Sequence, residues 1–237
     1  MTAIPPPRSD LGETWRWELR RPPPAGRDAD ADLLWLHQRE RLLLSGLRAH
    51  RPDALAELDV LDVGCGVGGE LLRLVAHGAD PQRMHGVDLD EDRIRSARER
   101  LPAADLRVGD ARRLPYATGA MDVVVQFTML SSIPDATDRA AAAREMARVT
   151  RPGGVTVSYD FWINPFNSST RPVTRRELRR LFPRHRIEAH AVTLAPPLAR
   201  AVCGRSFGAA TALQALPFLR THVLAFITAP APEEPAS

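Results

Sequence analysis

Asp62 stands two residues ahead of a run of glycines, giving D-x-G-x-G-x-G over 62–68 within "VLDVGCGVGGELLRL". Glycine removes the Cβ that would keep backbone away from a ligand, so such a turn holds something closely. Residues 64–69 also satisfy G-x-G-x-x-G, the dinucleotide fingerprint, with a strand before and a helical pattern after. Charge separates the two ligands that use a turn of this kind. A carboxylate at Asp62 repels a pyrophosphate but suits S-adenosylmethionine, which carries a sulfonium and an ammonium. A second reading makes Asp62 an acceptor of backbone amides that only shapes the turn. Asp88 closes "HGVD" 20 residues past Gly68, where a carboxylate accepts both ribose hydroxyls of either cofactor. Asp110, in "RVGDARRLPY", can accept from an adenine amine, with the Ala111 amide at the ring edge. A dinucleotide enzyme has no special need of that second acid. Asp90 and Asp92 read as a solvated helix N-terminus.

These residues need elements to place them. The periodicity predicts a long helix over 28–51, then strands at 58–63, 84–89, 105–108, 121–127 and 155–161, with helices at 69–76, 91–101 and 138–149 between them. A turn at "RPGG" leads into the fifth strand. Beyond "FWINPFNSST" follow a helix near 174–181, a strand near 186–194, a helical stretch to about 216 and a last strand at 221–228. Strand and helix in alternation mean a parallel sheet covered on both faces. The expected fold is therefore α/β: a Rossmann-like, seven-stranded, mostly parallel sheet with an N-terminal helical extension. Residues 1–50 form that extension, 51–230 the main domain and 231–237 a proline-rich, disordered tail.

With 237 residues and 44% hydrophobic content, composition is that of a soluble globular protein. No apolar run approaches the roughly 18 to 20 residues of a membrane span, and the start lacks a secretory layout, so the expected location is cytoplasmic with no membrane partner. All 32 basic residues are arginine, against 29 acidic ones. The balance of +3 reads as genome composition bias; nucleic-acid binding would want the basic residues clustered on one face. Cys65 and Cys203 make no disulfide framework, and the seven histidines show no metal-ligand spacing, so no metal is expected.

Taken together, "VLDVGCGVGG", "GVDLDEDRIRSAR", "RVGDARRLPY", "MDVVVQFTMLSSIPD" and "ARVTRPGGVTVSYDF" resemble, in order and spacing, a class I S-adenosylmethionine-dependent methyltransferase of a small bacterial type. The resemblance covers about 58–161. It implies that Gly64, Cys65 and Gly66 lie along the methionyl part of the cofactor, Asp88 and Leu89 at the ribose, and Gly109, Asp110 and Ala111 at the adenine. Gln126 and Phe127 would pass beneath the transferred methyl. Where relatives often carry a histidine near "SSIPD", this chain has Ser131 and Ser132.

Methyl transfer is an in-line displacement that depends on alignment and exclusion of water. A hydroxyl acceptor gains from a general base, whereas an amine must arrive unprotonated. The candidates at the carboxyl edge are Asp160, as base or orienting group, with Tyr159 beside it and His222 at the start of the last strand. Each has a second reading: Asp160 as the cap of the following turn, His222 as a packed residue. Trp162, Asn164, Phe166 and Asn167 would line or cover a pocket. Trp15 and Trp17, beside Arg16, Arg20 and Arg21, would form a lid or an arm that patches the core, and Arg39 would meet the cofactor carboxylate or solvent. The expected activity is methylation, on oxygen or nitrogen, of a small-molecule acceptor such as a saccharide precursor or secondary metabolite. The alternatives are an NAD(P)-dependent oxidoreductase and a cofactor-binding protein that transfers no methyl. The residues do not fix an oligomeric state.

Overall fold

The computed structural model describes residues 27–163 and 170–230. Helix α1 (Arg27–His50) leads, followed by β1 (Val60–Val63), α2 (Gly69–Ala76), β2 (Met84–Asp88), α3 (Glu91–Arg100), β3 (Asp105–Val108) and β4 (Met121–Phe127). Then come a one-turn helix α4 (Met129–Ser132), α5 (Ala136–Val149), β5 (Thr150–Phe161), α6 (Arg175–Leu181), β6 (Arg186–Leu194), α7 (Pro196–Cys203), α8 (Phe207–Gln214) and β7 (Arg220–Thr228). The seven strands lie in the order β3-β2-β1-β4-β5-β7-β6. The first five run parallel, and β7 enters antiparallel between β5 and β6.

Period-two alternation sorts the strand side chains between two cores. On β4, Val123 and Val125 join Leu43, Leu71 and Ile94 beneath α1, α2 and α3, while Val124 joins Leu130, Met146 and Leu178 on the other face. Burying a leucine of this kind contributes about 1.5–3 kcal/mol. Helix starts are fixed by side chains: Asp90 caps α3, Asp135 caps α5 and Thr174 caps α6. Helix α2 differs, because its N-cap is Gly68 in the left-handed region, with no side-chain cap.

The expected strands and helices are present, with three local differences. Strand β5 begins at Thr150 and runs through "RPGG", since a register shift opposite Met121 and Val123 accommodates the glycines within the ladder. The helical stretch ending near 216 is two helices, broken at Gly204 and restarted by the Ser206 cap. Helix α4 was not legible as a separate element. It occupies "MLSS" immediately after β4.

Helix α1 lies close on the sheet. A Cβ at Gly46 would fall 2.0 Å from Cζ of Phe226, so only glycine admits that approach. Gln38 accepts from the Thr193 amide at 2.8 Å, and the Trp35 indole donates to the Leu194 carbonyl at 3.0 Å. The first half of α1 also shares a small core with α7 and α8, built on Ala31, Leu34, Ala199, Cys203 and Ala210.

Candidate functional site

The carboxyl ends of β1, β2 and β3 converge on one edge, and there the backbone is held in conformations that exclude ordinary side chains. Gly64, Gly66 and Gly68 take φ of 78°, 53° and 76°. A Cβ on Gly64 would also lie 2.8 Å from Met129 Cγ. The turn is stitched to β2: the Gly64 and Cys65 amides both donate to the Val87 carbonyl, at 2.7 and 3.1 Å, and the Gly66 amide donates to Asp88 Oδ2 at 2.8 Å. Asp88 Oδ1 accepts from the Asp90 amide at 3.0 Å. Two carboxylate oxygens offer about four lone pairs, so Asp88 keeps acceptor capacity for hydroxyls.

Beneath the turn lie two buried carboxyl groups, each with one oxygen unpartnered. Asp62 is 2% exposed, and its Oδ1 has no hydrogen-bond partner. Burial pushes its carboxyl well above the ordinary range, and the Glu70 and Asp88 charges push it further. Glu70, from the first turn of α2, is also buried; its Oε2 accepts from Arg39 at 2.8 Å and Arg73 at 2.7 Å, while Oε1 has no partner. The Arg39 guanidinium reaches over from α1, 5.0 Å from the Phe127 ring centroid and 5.3 Å from that of Tyr159. The Cys65 thiol is pushed up by burial, then by Asp62 and Asp88, and stays neutral.

Two orphaned carboxylate oxygens below a glycine cradle fit a ligand bearing positive charge. They do not fit a pyrophosphate. At the rim, Leu89 is 49% exposed beside Asp88. Gly109 donates from its amide to the Asp88 carbonyl at 2.9 Å. Asp110 is oriented by Arg112, which donates to Oδ2 at 2.8 and 2.6 Å and is itself tied to Asp138 at 3.0 Å. Ala111 packs half-buried against the second core.

The β4–β5–β7 side is different in kind. Asp160 is fully buried and bonded at both oxygens: Oδ1 accepts from the Ser131 amide at 2.9 Å, and Oδ2 accepts from the Ser158 hydroxyl at 2.9 Å and from the Gln126 amide group. Burial raises its carboxyl to about 6 against the pull of those donors. Gln126, expected beneath the methyl, is equally enclosed, with Oε1 accepting from the Met129 and Leu130 amides at 3.0 and 3.2 Å. Strand alternation explains both, because positions 126, 158 and 160 point to the α4–α5 face of the sheet.

Phe127 and Tyr159 point to the opposite face, their rings 5.8 Å apart. The Tyr159 hydroxyl bonds Thr193 Oγ1 at 2.7 Å. His222 is 5% exposed between Tyr159, with centroids 4.8 Å apart and planes 9° apart, and Phe161 at 3.9 Å. Burial, with the Arg39 charge, lowers its imidazole to about 3. A base that weak stays neutral at working pH and accepts a proton poorly. Tyr159 and His222 therefore build an aromatic wall, and their proton chemistry is suppressed.

Trp162 donates from its indole to the Arg220 carbonyl at 3.0 Å. Asn164, Phe166 and Asn167, like Trp15, Arg16, Trp17, Arg20 and Arg21, lie outside the described residues. Among the described residues, no cluster of His, Cys, Asp and Glu offers a metal three ligands, and no helix is long and apolar enough to cross a membrane. Glu70 was missed in the sequence. Its only local signal is its place directly after the glycine turn, since its burial depends on α1 arriving from outside the motif.

Comparison with known proteins bears on the sequence and the fold. Residues 60–154 match the model of a family described as "Methyltransferase domain". That segment is similar to methyltransferase domains. The chain is 33% identical over 112 residues to 27-O-demethylrifamycin SV methyltransferase of Amycolatopsis mediterranei, covering 45% of this chain and 39% of the relative. It is 32% identical over 116 residues to dTDP-3-amino-3,4,6-trideoxy-alpha-D-glucopyranose N,N-dimethyltransferase of Streptomyces venezuelae, covering 49% and 46%. The matches thus span less than half the length of these curated relatives. Among solved structures, magnesium protoporphyrin IX methyltransferase from Synechocystis PCC 6803 with bound SAH superposes with a TM-score of 0.61 at 16% identity, covering 92% of this chain and 94% of that one. The shared fold is that of a methyltransferase: the motifs of 60–154 sit at the carboxyl edge of its parallel strands.

Proposed function

We propose that the protein is an S-adenosylmethionine-dependent methyltransferase acting on a small-molecule acceptor. The observation that carries this reading is the pair of orphaned, buried oxygens, Asp62 Oδ1 and Glu70 Oε1, under a left-handed glycine cradle. Asp62 and Glu70 would hold the cationic methionyl end, with Gly64, Cys65 and Gly66 along it. Asp88 would accept the ribose hydroxyls beside Leu89, and Gly109, Asp110 and Ala111 would frame the adenine. When bound, the cofactor supplies a methyl group activated by positive sulfur. The chain contributes alignment and dryness: Phe127, Tyr159 and His222 form an apolar wall beside the cradle, and Arg39 closes it from α1.

With Asp160, Tyr159 and His222 all engaged, the acceptor brings its own nucleophile, as a neutral amine or an acidic hydroxyl that ionises near neutrality. The two relatives bear names of an O- and an N-methyltransferase, which supports both acceptor classes. The engaged bases also favour a second reading, a protein that binds the cofactor without passing on its methyl group.

Calorimetry with S-adenosylmethionine, S-adenosylhomocysteine and NADH tests the first step. Binding of the adenosyl compounds and silence with NADH is expected, and the reverse pattern overturns the reading. Mass analysis of products from a panel of amines, phenols and amino sugars then separates transfer from binding alone.

A further inference from the structure

The buried polar groups on the α4–α5 face of β4 and β5 play no part in the roles just given, although they cluster at the candidate site. Gln126 and Ser158 are cross-strand partners, and Asp160 lies two residues on along the same face. The Gln126 amide group donates to Ser158 Oγ at 2.6 Å and to Asp160 Oδ2. Their outward-facing acceptors then take the first three amides of α4: Gln126 Oε1 from Met129 and Leu130, and Asp160 Oδ1 from Ser131. The N-cap residue of α4, Thr128, stands at φ 60° and caps nothing with its side chain. The one-turn helix therefore holds its place through Gln126 and Asp160. Met129, the first residue of that helix, presses its side chain against Gly64.

We propose that Asp160 is a positioning residue: with Gln126 it fixes α4, and through Met129 it fixes the Gly64 turn that receives the cofactor. This rests on the cofactor assignment above. The polarity of the network is what matters. Gln126 turns its acceptor to α4 and its donor to Asp160; Asp160 is acceptor at both ends. Asp160→Asn sets an NH2 against the Gln126 NH2, or turns it against the Ser131 amide. Gln126→Glu sets one carboxylate against another. The double variant Gln126→Glu/Asp160→Asn reverses the middle hydrogen bond while keeping an acceptor toward each α4 amide, with total charge and volume unchanged.

The experiment is titration of the full chain with S-adenosylhomocysteine well below the melting temperature of each variant, with melting recorded in parallel and turnover measured on any acceptor found. Each single variant is expected to weaken binding about tenfold, since a buried polar group is left opposed, and the double variant is expected to recover most of it. Wild-type affinity in both single variants overturns the proposal. So does a folded double variant no better than the worse single one. Turnover lost in Asp160→Asn at unchanged affinity overturns it in favour of a base at Asp160, and such a base would leave the double variant inactive. Should a single variant fail to fold, Met129→Ala cuts the last link without touching the network; it too must weaken binding, and unchanged affinity there overturns the proposal. A wild-type chain that takes up no S-adenosylhomocysteine overturns the cofactor assignment instead, and the wild-type titration tells the two failures apart.

Discussion

The two halves of the sheet's carboxyl edge are built on opposite terms. Around β1 to β3 the chain keeps three left-handed glycines, an uncapped helix start and buried carboxylate oxygens without partners. Around β4, β5 and β7 every oxygen of Asp160 and Gln126 is bonded, and the Tyr159 hydroxyl and the His222 Nδ1 have partners as well. Unsatisfied polar groups cost stability wherever they are buried. Other atoms without a hydrogen-bond partner lie elsewhere in the chain, on Asp122, Arg139, His185 and Gln214 among them, but the two beneath the glycine turn, on Asp62 and Glu70, are the ones that the proposed cofactor would complete.

Substitutions should break this contrast unequally. The largest effect is expected from Gly64→Ala, because φ of 78° and contact with Met129 both oppose a Cβ; cofactor binding should fall below detection by calorimetry. Asp88→Ala follows, with a loss of at least about tenfold in cofactor affinity at preserved fold, as a charge-assisted acceptor of hydroxyls disappears. Unchanged affinity would remove Asp88 from the ribose.

Asp62→Asn should act in two directions at once. Cofactor affinity should drop, while the ligand-free protein melts higher at neutral pH. The native carboxyl is raised above its ordinary 3.8 by burial first. Between 3.8 and that raised value the native state holds a proton that the unfolded chain has lost, so stability declines as pH rises through this window and then levels off. Melting curves taken from acid to neutral pH should show a shallower decline in the variant, and parallel curves would reject the assignment. The smallest effect is expected from His222→Phe, which keeps the stack on Tyr159: turnover should change by about threefold or less, since no general-base contribution is lost. A loss of about 100-fold, of the size such a base supplies, would restore His222 as a proton acceptor.

The sequence revealed one half of the site more readily than the other. Asp62, Asp88 and Asp110 are fixed by local pattern, since each sits at or just past the end of a strand whose length and neighbours are written in apolar periodicity. Their grouping follows from parallel topology alone. Asp160, Gln126 and His222 depend on which face of a strand a side chain takes and on what packs there. Helix α4 is four residues long, too short to leave a periodic signal, and it is the element that consumes Asp160. Glu70 and Arg39 lie 31 positions apart and meet only because α1 packs on the same side of the sheet as α2. The "RPGG" stretch reads as a turn by composition, yet the sheet absorbs it as an irregularity inside β5.

Arg39 stands outside the segment 60–154 that matches the family model, but its guanidinium joins Arg73 on Glu70 and roofs Phe127 and Tyr159. On the proposed function, α1 is thus a component of the cofactor chamber. A chimera that transplants only the matched segment into a relative would leave Glu70 without its counter-ion from α1 and two aromatic rings without their cover. Exchange between such proteins should succeed only when α1 travels with the segment.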